Sequence, residues 1–101
     1  MITKKRLKTR PVCKVTFTLS EKEANFAKKA NIVGDFNKWD SDATPMKRLK
    51  KGVFTTTVDF EQGKEHQFRY LLDDTDWEND PTADKFVPTP YGDSENSVII
   101  A

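Results

Sequence analysis

Short runs of alternating apolar and polar residues, separated by turn-forming residues, constrain the fold of this chain more than any other feature. In the run Val12–Leu19, the residues Cys13, Val15, Phe17 and Leu19 alternate with lysine and threonine. This is the pattern of a β-strand with one buried and one wet face. The chain has 101 residues, which is the size of a single domain with one core.

The same criteria predict further strands along the chain. Residues 53–60 are rich in β-branched and aromatic side chains, and residues 66–72 alternate about His66, Phe68, Tyr70 and Leu72. Shorter strands are predicted at 30–33, 45–49, 86–89 and 96–100. About seven turn-separated strands in about 100 residues are typical of an all-β, immunoglobulin-like sandwich. Between the first two strands, Ser20 and Glu23 have the spacing of a capping box, which predicts a short helical turn.

The charges nearly cancel, with 17 Lys and Arg against 16 Asp and Glu and a net charge of +1. This balance argues against nucleic acid as a partner. The layout is uneven, because the first 14 residues carry six basic residues and no acid. Such a start is either a binding tail for RNA, membrane phosphate or a protein, or a loose solvated terminus. We predict a flexible basic tail at residues 1–11 and one β-sandwich domain at residues 12–101.

The sequence offers little for catalysis, redox chemistry or membrane insertion. Cys13 is the one cysteine and falls on the apolar face of its strand, so we expect a buried hydrophobe and no disulfide. His66 is the one histidine, with no nucleophile placed beside it in a recognisable motif, and we expect it to be structural. No apolar run is long enough for a membrane span or a signal peptide, so we expect a cytoplasmic protein.

The acidic stretch at residues 73–84 has some features of a cation site. Asp74, Asp76, Glu78 and Asp80 alternate as calcium ligands do, but Asn79 and Lys85 stand where an EF-hand needs glycine and glutamate. A glycosidase acid and base pair would need two carboxyl groups facing each other across a cleft, which one loop of a small sandwich seldom forms. We therefore predict a solvated acidic hairpin tip, with no metal and no cofactor.

The only two tryptophans carry the strongest chemical signal. Trp39 and Trp77 each lie in a polar, loop-like stretch, which predicts that their rings face solvent or a ligand rather than completing the core. A sugar ring has an apolar face of C–H groups rimmed by hydroxyls, so it binds a flat aromatic surface flanked by hydrogen-bonding groups. The nearby polar side chains that could supply those groups are Asn37, Lys38, Arg69, Asn79 and Asn96.

Several short motifs occur in a specific order along the chain. They are G-D-F-N-K-W at 34–39, P-M at 45–46, G-V-F at 52–54, H-Q-F-R-Y-L-L-D at 66–73, W-E-N-D-P at 77–81, and Gly92 followed by N-S-V at 96–98. Together they resemble carbohydrate-binding module family 48 over about residues 12–100. This is the early-set domain at the front of isoamylases and branching enzymes, and the glycogen-binding domain of the AMP-activated protein kinase beta subunit.

The resemblance implies a role for each matching residue. Trp39 and Trp77 would stack on α-1,4-linked glucose units, and Arg69 stands where glycogen-binding members have a lysine. Asn96 is the best match to an asparagine that contacts sugar, with Glu95 as the alternative. Tyr91 holds the place of a bulky residue that inserts into the glucan helix.

One local pattern departs from the family. The turn before Trp77 is one residue longer than the usual D-G-x-W and lacks its glycine.

The predicted function is non-catalytic binding of α-1,4-linked glucan, such as glycogen, starch or a maltooligosaccharide. The module would either act in trans beside a glucan-metabolising enzyme or tether a partner to glycogen. The predicted site residues are Trp39, Trp77, Arg69, Asn96, Tyr91 and Asn37. The alternative is a protein-interaction module that uses the same tryptophans as hot spots. Neither nucleic acid nor membrane is expected as a partner.

Overall fold

Two antiparallel sheets make up the fold in a computed structural model, which describes residues 1–89 and 94–101. Over these residues the strands are β1 (Ile2–Arg6), β2 (Val12–Leu19), β3 (Ala30–Gly34), β4 (Lys47–Arg48), β5 (Phe54–Glu61), β6 (Glu65–Leu72), β7 (Asp76–Glu78), β8 (Lys85–Pro88) and β9 (Glu95–Ile100). The all-β sandwich prediction is confirmed, with nine strands in the described residues rather than about seven.

The four-stranded sheet has the order β1–β2–β5–β4. Its central pair, β2 and β5, runs in register from Val12 opposite Glu61 to Leu19 opposite Phe54. The alternation predicted for β2 is confirmed, because Cys13, Val15, Phe17 and Leu19 are all buried. The opposite face of this sheet is polar and carries cross-strand threonine pairs such as Thr16 and Thr57, whose hydroxyls lie 2.9 Å apart.

The basic N-terminal segment differs from the flexible tail that the sequence predicts. Residues Ile2–Arg6 form an edge strand in register with β2, and Ile2 packs against the core. Lys4 Nζ donates to Asp84 Oδ2 at 2.7 Å. The lysines that suggested a loose tail are also a common device for protecting the edge of a sheet. The charge pattern therefore predicted a tail where the structure has a strand.

The five-stranded sheet has the order β3–β6–β9–β8, with the short β7 paired to the end of β6. Phe68, Tyr70 and Leu72 of β6 point into the core, as their alternation predicts. The intervening residues Gln67 and Arg69 consequently face outward. This outward face carries the candidate site described below.

Aromatic side chains fill the space between the sheets. The ring of Phe17 meets those of Phe68, Tyr70 and Phe60 edge to face, with centroids 5.1 to 6.5 Å apart. Cys13 is fully buried among them, as predicted. In the part of the chain described, no helix has the length and apolar character needed to cross a membrane.

The segment between β2 and β3 forms a hydrogen-bonded turn rather than a helix. The predicted capping box is present, because Ser20 N donates to Glu23 Oε1 at 2.9 Å and Glu23 N donates to Ser20 Oγ at 3.1 Å. Asn25 and Phe26 then take positive φ angles of 51° and 57°. This conformation ends the turn before a second helical turn forms.

Candidate functional site

An open groove of about 640 Å³ lies on the outward face of the five-stranded sheet. It brings together side chains from β6, β7 and β9 and from the loops that follow β3 and β8. The described residues that line it are Trp39, Gln67, Arg69, Trp77, Thr89, Ser94 and Asn96. Four predicted site residues, Trp39, Trp77, Arg69 and Asn96, thus share one surface although 57 positions separate the first from the last in sequence.

Trp77 reaches the groove from a hairpin that we name the Trp77 hairpin, residues 73–80. In β7 it lies directly opposite Leu71 of β6, so both side chains are on the groove face. The turn before it lacks the family's glycine, but Asp73 and Asp74 themselves take positive φ angles of 50° and 61°. Aspartate tolerates this conformation better than most residues. The longer turn therefore still delivers Trp77 to the groove, where the residue is 46% exposed.

The acids of this hairpin are engaged with the turn after β2. Asp73 Oδ1 accepts from the backbone N–H groups of Lys28 and Lys29 at 2.9 and 3.1 Å. The Asn25 amide donates to both Asp76 Oδ2 and Glu78 Oε1, each at 3.1 Å. The stretch predicted as a solvated acidic tip is thus partly a strand, tied down by hydrogen bonds.

Asp80 closes the Trp77 hairpin from inside the protein. Its side chain is fully buried, and Oδ2 accepts the Tyr70 hydroxyl hydrogen bond at 2.6 Å. Oδ1 accepts from both the backbone N–H and the hydroxyl of Thr82. Burial, and next the charge of Asp80, raise the pKa of Tyr70 far above its usual value. Tyr70 therefore stays protonated and acts as a permanent donor.

Trp39 reaches the groove from a different structure, which we name the Trp39 loop, residues 34–40. A single 3-10 turn at Asp35–Asn37 ends when Lys38 and Trp39 both take a φ of 58°. Trp39 N donates to Gly34 O at 2.8 Å and Lys38 N donates to Asp35 O at 3.3 Å. These are the two hydrogen bonds of a Schellman motif, here formed without glycine at the left-handed position. Trp39 is 42% exposed.

Asn37 has a structural role in this loop and does not line the groove, in contrast to its predicted sugar contact. Its Oδ1 accepts from Gly34 N at 3.0 Å, and its Nδ2 donates to Ile32 O and Thr44 Oγ1, both at 3.1 Å. Both N–H groups and one acceptor position of the amide are thereby used. The polar character that marked Asn37 as a ligand contact serves the loop instead.

Asp35 joins the Trp39 loop to β6. Its Oδ1 lies 2.9 Å from His66 Nδ1, and its Oδ2 accepts from Gln67 N at 3.0 Å. The His66 ring stacks on Phe60 with centroids 4.6 Å apart. His66 lies outside the groove lining and holds the loop, in keeping with the structural role expected for it.

Three polar side chains form the floor of the groove between the tryptophans. Arg69 Nε donates to Asn96 Oδ1 at 2.7 Å, and Asn96 Nδ2 donates to Gln67 Oε1 at 3.0 Å. Sequence reasoning missed Gln67 as a site residue. Its spacing from Arg69 could have identified it, since residues two apart on a strand share a face.

Two further lining residues were not predicted, and one predicted residue is not described by the structure. Thr89 and Ser94 also line the groove and were not predicted. Tyr91 lies outside the described residues. Across residues 1–89 and 94–101, no group of three or more His, Cys, Asp or Glu side chains is arranged to hold a metal ion.

A small apolar layer lies beneath the groove. Val33, Leu71 and Val98 are buried but stand apart from the core between the sheets. The strand registers place Val33 opposite Arg69, Val98 opposite Gln67 and Leu71 opposite Trp77, all on the groove face. These side chains exclude water from below, so the polar floor rests on a fixed support.

In its described lining, the groove combines two aromatic surfaces, one permanent cation and a set of amides. Among the lining residues that the structure describes, none carries a carboxylate. The arrangement suits the binding of a neutral polar ligand that has apolar faces.

A search of curated proteins gave no match for this chain. Comparison with protein families did give a match, and it indicates the same chemistry. Residues 15–92 match the model of a family of non-catalytic modules that bind carbohydrate. With more than half of its residues inside that match, the chain belongs to the family of carbohydrate-binding module 48, the isoamylase N-terminal domain.

Proposed function

We propose that this protein binds α-1,4-linked glucan, such as glycogen, starch or a maltooligosaccharide, in the groove between Trp39 and Trp77 and does not catalyse a reaction. One observation carries the proposal. Two tryptophans from unrelated loops, each between 40 and 50% exposed, line the same groove across a polar floor. Tryptophans that merely completed the core would be buried.

The chemistry of the lining favours a sugar. Indole rings offer flat apolar surface to the C–H faces of glucose, and Arg69, Gln67 and Asn96 offer hydrogen-bonding groups to its hydroxyls. Glycoside hydrolysis needs two carboxyl groups at the bond that breaks. The described lining has no such group, which supports binding without turnover.

The open shape of the groove predicts modest affinity. A shallow site removes little water and must order a flexible oligosaccharide, so we expect a binding free energy of roughly 4 to 8 kcal/mol, or millimolar to micromolar Kd. A module of this affinity works by concentrating an enzyme on its polymer. We therefore propose a cytoplasmic glucan-metabolising enzyme, acting in trans, as the protein partner.

The test is intrinsic tryptophan fluorescence during titration with maltoheptaose, with cellohexaose as the β-linked control. Trp39 and Trp77 are the only tryptophans, so a saturable change with maltoheptaose alone would place the ligand at or near them. We expect Trp39→Ala and Trp77→Ala, measured by calorimetry, each to weaken binding by about 30-fold, the size of a hot-spot residue.

Phe86→Ala is the matched control for these variants. Phe86 is an exposed aromatic residue, 40% accessible, that does not line the groove. Its substitution should leave the maltoheptaose Kd unchanged. A flat signal with maltoheptaose at concentrations on the order of ten millimolar would contradict glucan binding and favour a protein ligand for the two tryptophans.

A further inference from the structure

The floor of the groove is a chain of hydrogen bonds from Arg69 through Asn96 to Gln67. We infer that Asn96 is a positioning residue, which fixes the Arg69 guanidinium and the Gln67 amide so that both present hydrogen-bond donors to the hydroxyl oxygens of the ligand. The inference rests on the proposed function for its ligand, but the hydrogen-bond chain can be tested without one.

The direction of this chain follows from the chemistry of Arg69. A guanidinium has donors and no acceptor, so the Asn96 atom that faces Nε at 2.7 Å must be its oxygen. The Asn96 NH2 group must then face Gln67, which can meet it only with its oxygen, at 3.0 Å. The NH2 group of Gln67 is consequently left pointing away from the chain. One cation thus sets the orientation of two amides.

The groups left over are mostly donors. Within the described residues, no hydrogen bond occupies the terminal Nη groups of Arg69 or the Nε2 group of Gln67. Those groups supply four and two N–H bonds. Asn96 has already used its oxygen on Arg69 and one N–H on Gln67. Its main contribution is therefore to hold Arg69, although the family resemblance implies a sugar contact at this position.

The backbone of Gln67 also connects this floor to the Trp39 loop. Gln67 N donates to Asp35 Oδ2 at 3.0 Å, inside the loop that presents Trp39. Arg69, two residues along β6, is followed on the same face by Leu71, which lies opposite Trp77. The donors of the floor are thus held in a defined position relative to both rings. Such preorganisation lowers the ordering cost of binding.

Asn96→Asp tests the direction of the chain. The aspartate still accepts from Arg69 Nε, and this contact becomes charge-assisted. Aspartate cannot donate to Gln67, so Gln67 must rotate its amide and present its oxygen to the groove. We expect about tenfold weaker maltoheptaose binding, the cost of about one lost hydrogen bond, even though the contact to Arg69 is strengthened.

Gln67→Glu reaches the same end by another route. Glutamate still accepts from Asn96 Nδ2 but presents a carboxylate oxygen where the NH2 group stood. We expect a loss of about tenfold as well. Thr3→Glu, on the exposed outer face of the other sheet, is the charge-matched control and should bind as the native protein does. Equal affinity of native protein, Asn96→Asp and Gln67→Glu would overturn the inference.

A double-mutant cycle tests positioning directly, because Gln67 and Arg69 are linked only through Asn96 in this chain of bonds. Gln67→Met should weaken binding by about tenfold in the native background but by less than about threefold in an Arg69→Met background. Residues that each contact the sugar independently would give the same factor in both backgrounds. Without Arg69 the Gln67 amide loses its fixed orientation, so additivity would contradict the coupling of the two side chains through Asn96.

NMR of the ligand-free protein separates this inference from the proposed function. The Arg69 Nε–H proton should exchange slowly with solvent in the native protein and rapidly in Asn96→Ala. If the proton is protected but maltoheptaose does not bind, the hydrogen-bond chain is supported and the glucan proposal fails. If maltoheptaose binds but the proton is unprotected, the glucan proposal stands and this inference fails.

Discussion

The Trp39 loop and the Trp77 hairpin solve the same problem, the presentation of an indole ring to one groove, by different means. The Trp39 loop is irregular and depends on a Schellman motif, two residues of positive φ and the side chain of Asn37. The Trp77 hairpin depends on strand register with β6 and on the buried anchor Asp80. Hydrogen bonds within the loop therefore shape the backbone that carries Trp39, whereas pairing between distant residues shapes the backbone that carries Trp77.

The largest expected effect concerns Gly34, at the start of the Trp39 loop. In Gly34→Ala, the new Cβ would collide with the Gln67 carbonyl oxygen and would lie 2.6 Å from Phe36 Cε1. Since backbone cannot move aside as a flexible side chain can, we expect a loss of about 3 kcal/mol in the free energy of unfolding. Urea denaturation measures it.

Gly63→Ala is the matched control for that substitution. Gly63 has a φ of 84° with open space around it, so only backbone strain applies. We expect a cost of about 1 kcal/mol there. Equal losses at the two glycines would refute a steric requirement at Gly34.

Tyr70→Phe tests the tertiary anchor of the Trp77 hairpin. It removes the hydroxyl that donates to the buried Asp80 carboxylate at 2.6 Å while keeping the ring. We expect a loss of about 2 kcal/mol in the free energy of unfolding, typical of a hydrogen bond to a charged group. In a Trp39→Phe background the emission of Trp77 should also shift. Unshifted Trp77 emission would show that the hydrogen bond between Tyr70 and Asp80 does not determine the position of Trp77.

Two asparagines allow the supports of the two rings to be compared directly. Asn37→Ala removes three partly buried hydrogen bonds under Trp39 and should cost about 2 kcal/mol. Asn25→Gly keeps the positive φ but removes exposed bonds to Asp76 and Glu78, and should cost below about 1 kcal/mol. Urea denaturation of both variants gives the order. The reverse order would mean that Trp77 depends more on polar side-chain contacts than Trp39 does.

The smallest expected effect concerns a contact outside both structures. Although burial by itself raises the pKa of Asp84, hydrogen bonds from Lys4 and Ile100 N–H and the charges of Lys4 and Arg6 lower it overall. Its stabilising contribution is therefore present above its unfolded pKa of about 4 and is lost as pH falls through the lower folded value. Because the pair is partly exposed, we expect less than about 1 kcal/mol.

Denaturation at a series of pH values below about 5 checks this contribution. Asp84→Asn, which cannot titrate, should show a shallower loss of stability with acid than the native protein. Identical slopes would show that Asp84 does not contribute to the loss of stability in acid. At neutral pH, Asp84→Asn should leave the emission of Trp39 and Trp77 unchanged, since Lys4 and Ile100 belong to neither structure.

Much of the fold could be predicted because alternation is a local property of the sequence. The strands β2, β5 and β6 are long enough for the period of two to be read from their own residues. β1 escaped prediction because its lysines resembled a tail, and β7 because three residues among acids are too few to show a period. Both are held by pairing with neighbours, which the sequence of the segment does not record.

The candidate site was predictable in its residue types and less so in their roles. Trp39, Trp77, Arg69 and Asn96 line the groove as a sugar-binding constellation would. Asn37 was assigned to the ligand because a polar side chain beside a tryptophan serves a loop or a sugar equally well in sequence. Gln67 was missed because its importance lies in a contact with Asn96, 29 residues away.

An all-β sandwich, the apolar faces of its longest strands and the two tryptophans as candidate ligand contacts could all be inferred from the sequence. Period-two alternation and the scarcity of tryptophan are properties of the chain alone. The sequence does not show that both rings open onto one groove, that Asn37 bonds to the backbone of its own loop, or that hydrogen bonds join Arg69, Asn96 and Gln67. Those facts depend on strand register and on hydrogen bonds between distant residues, which exist only once the sheets have formed.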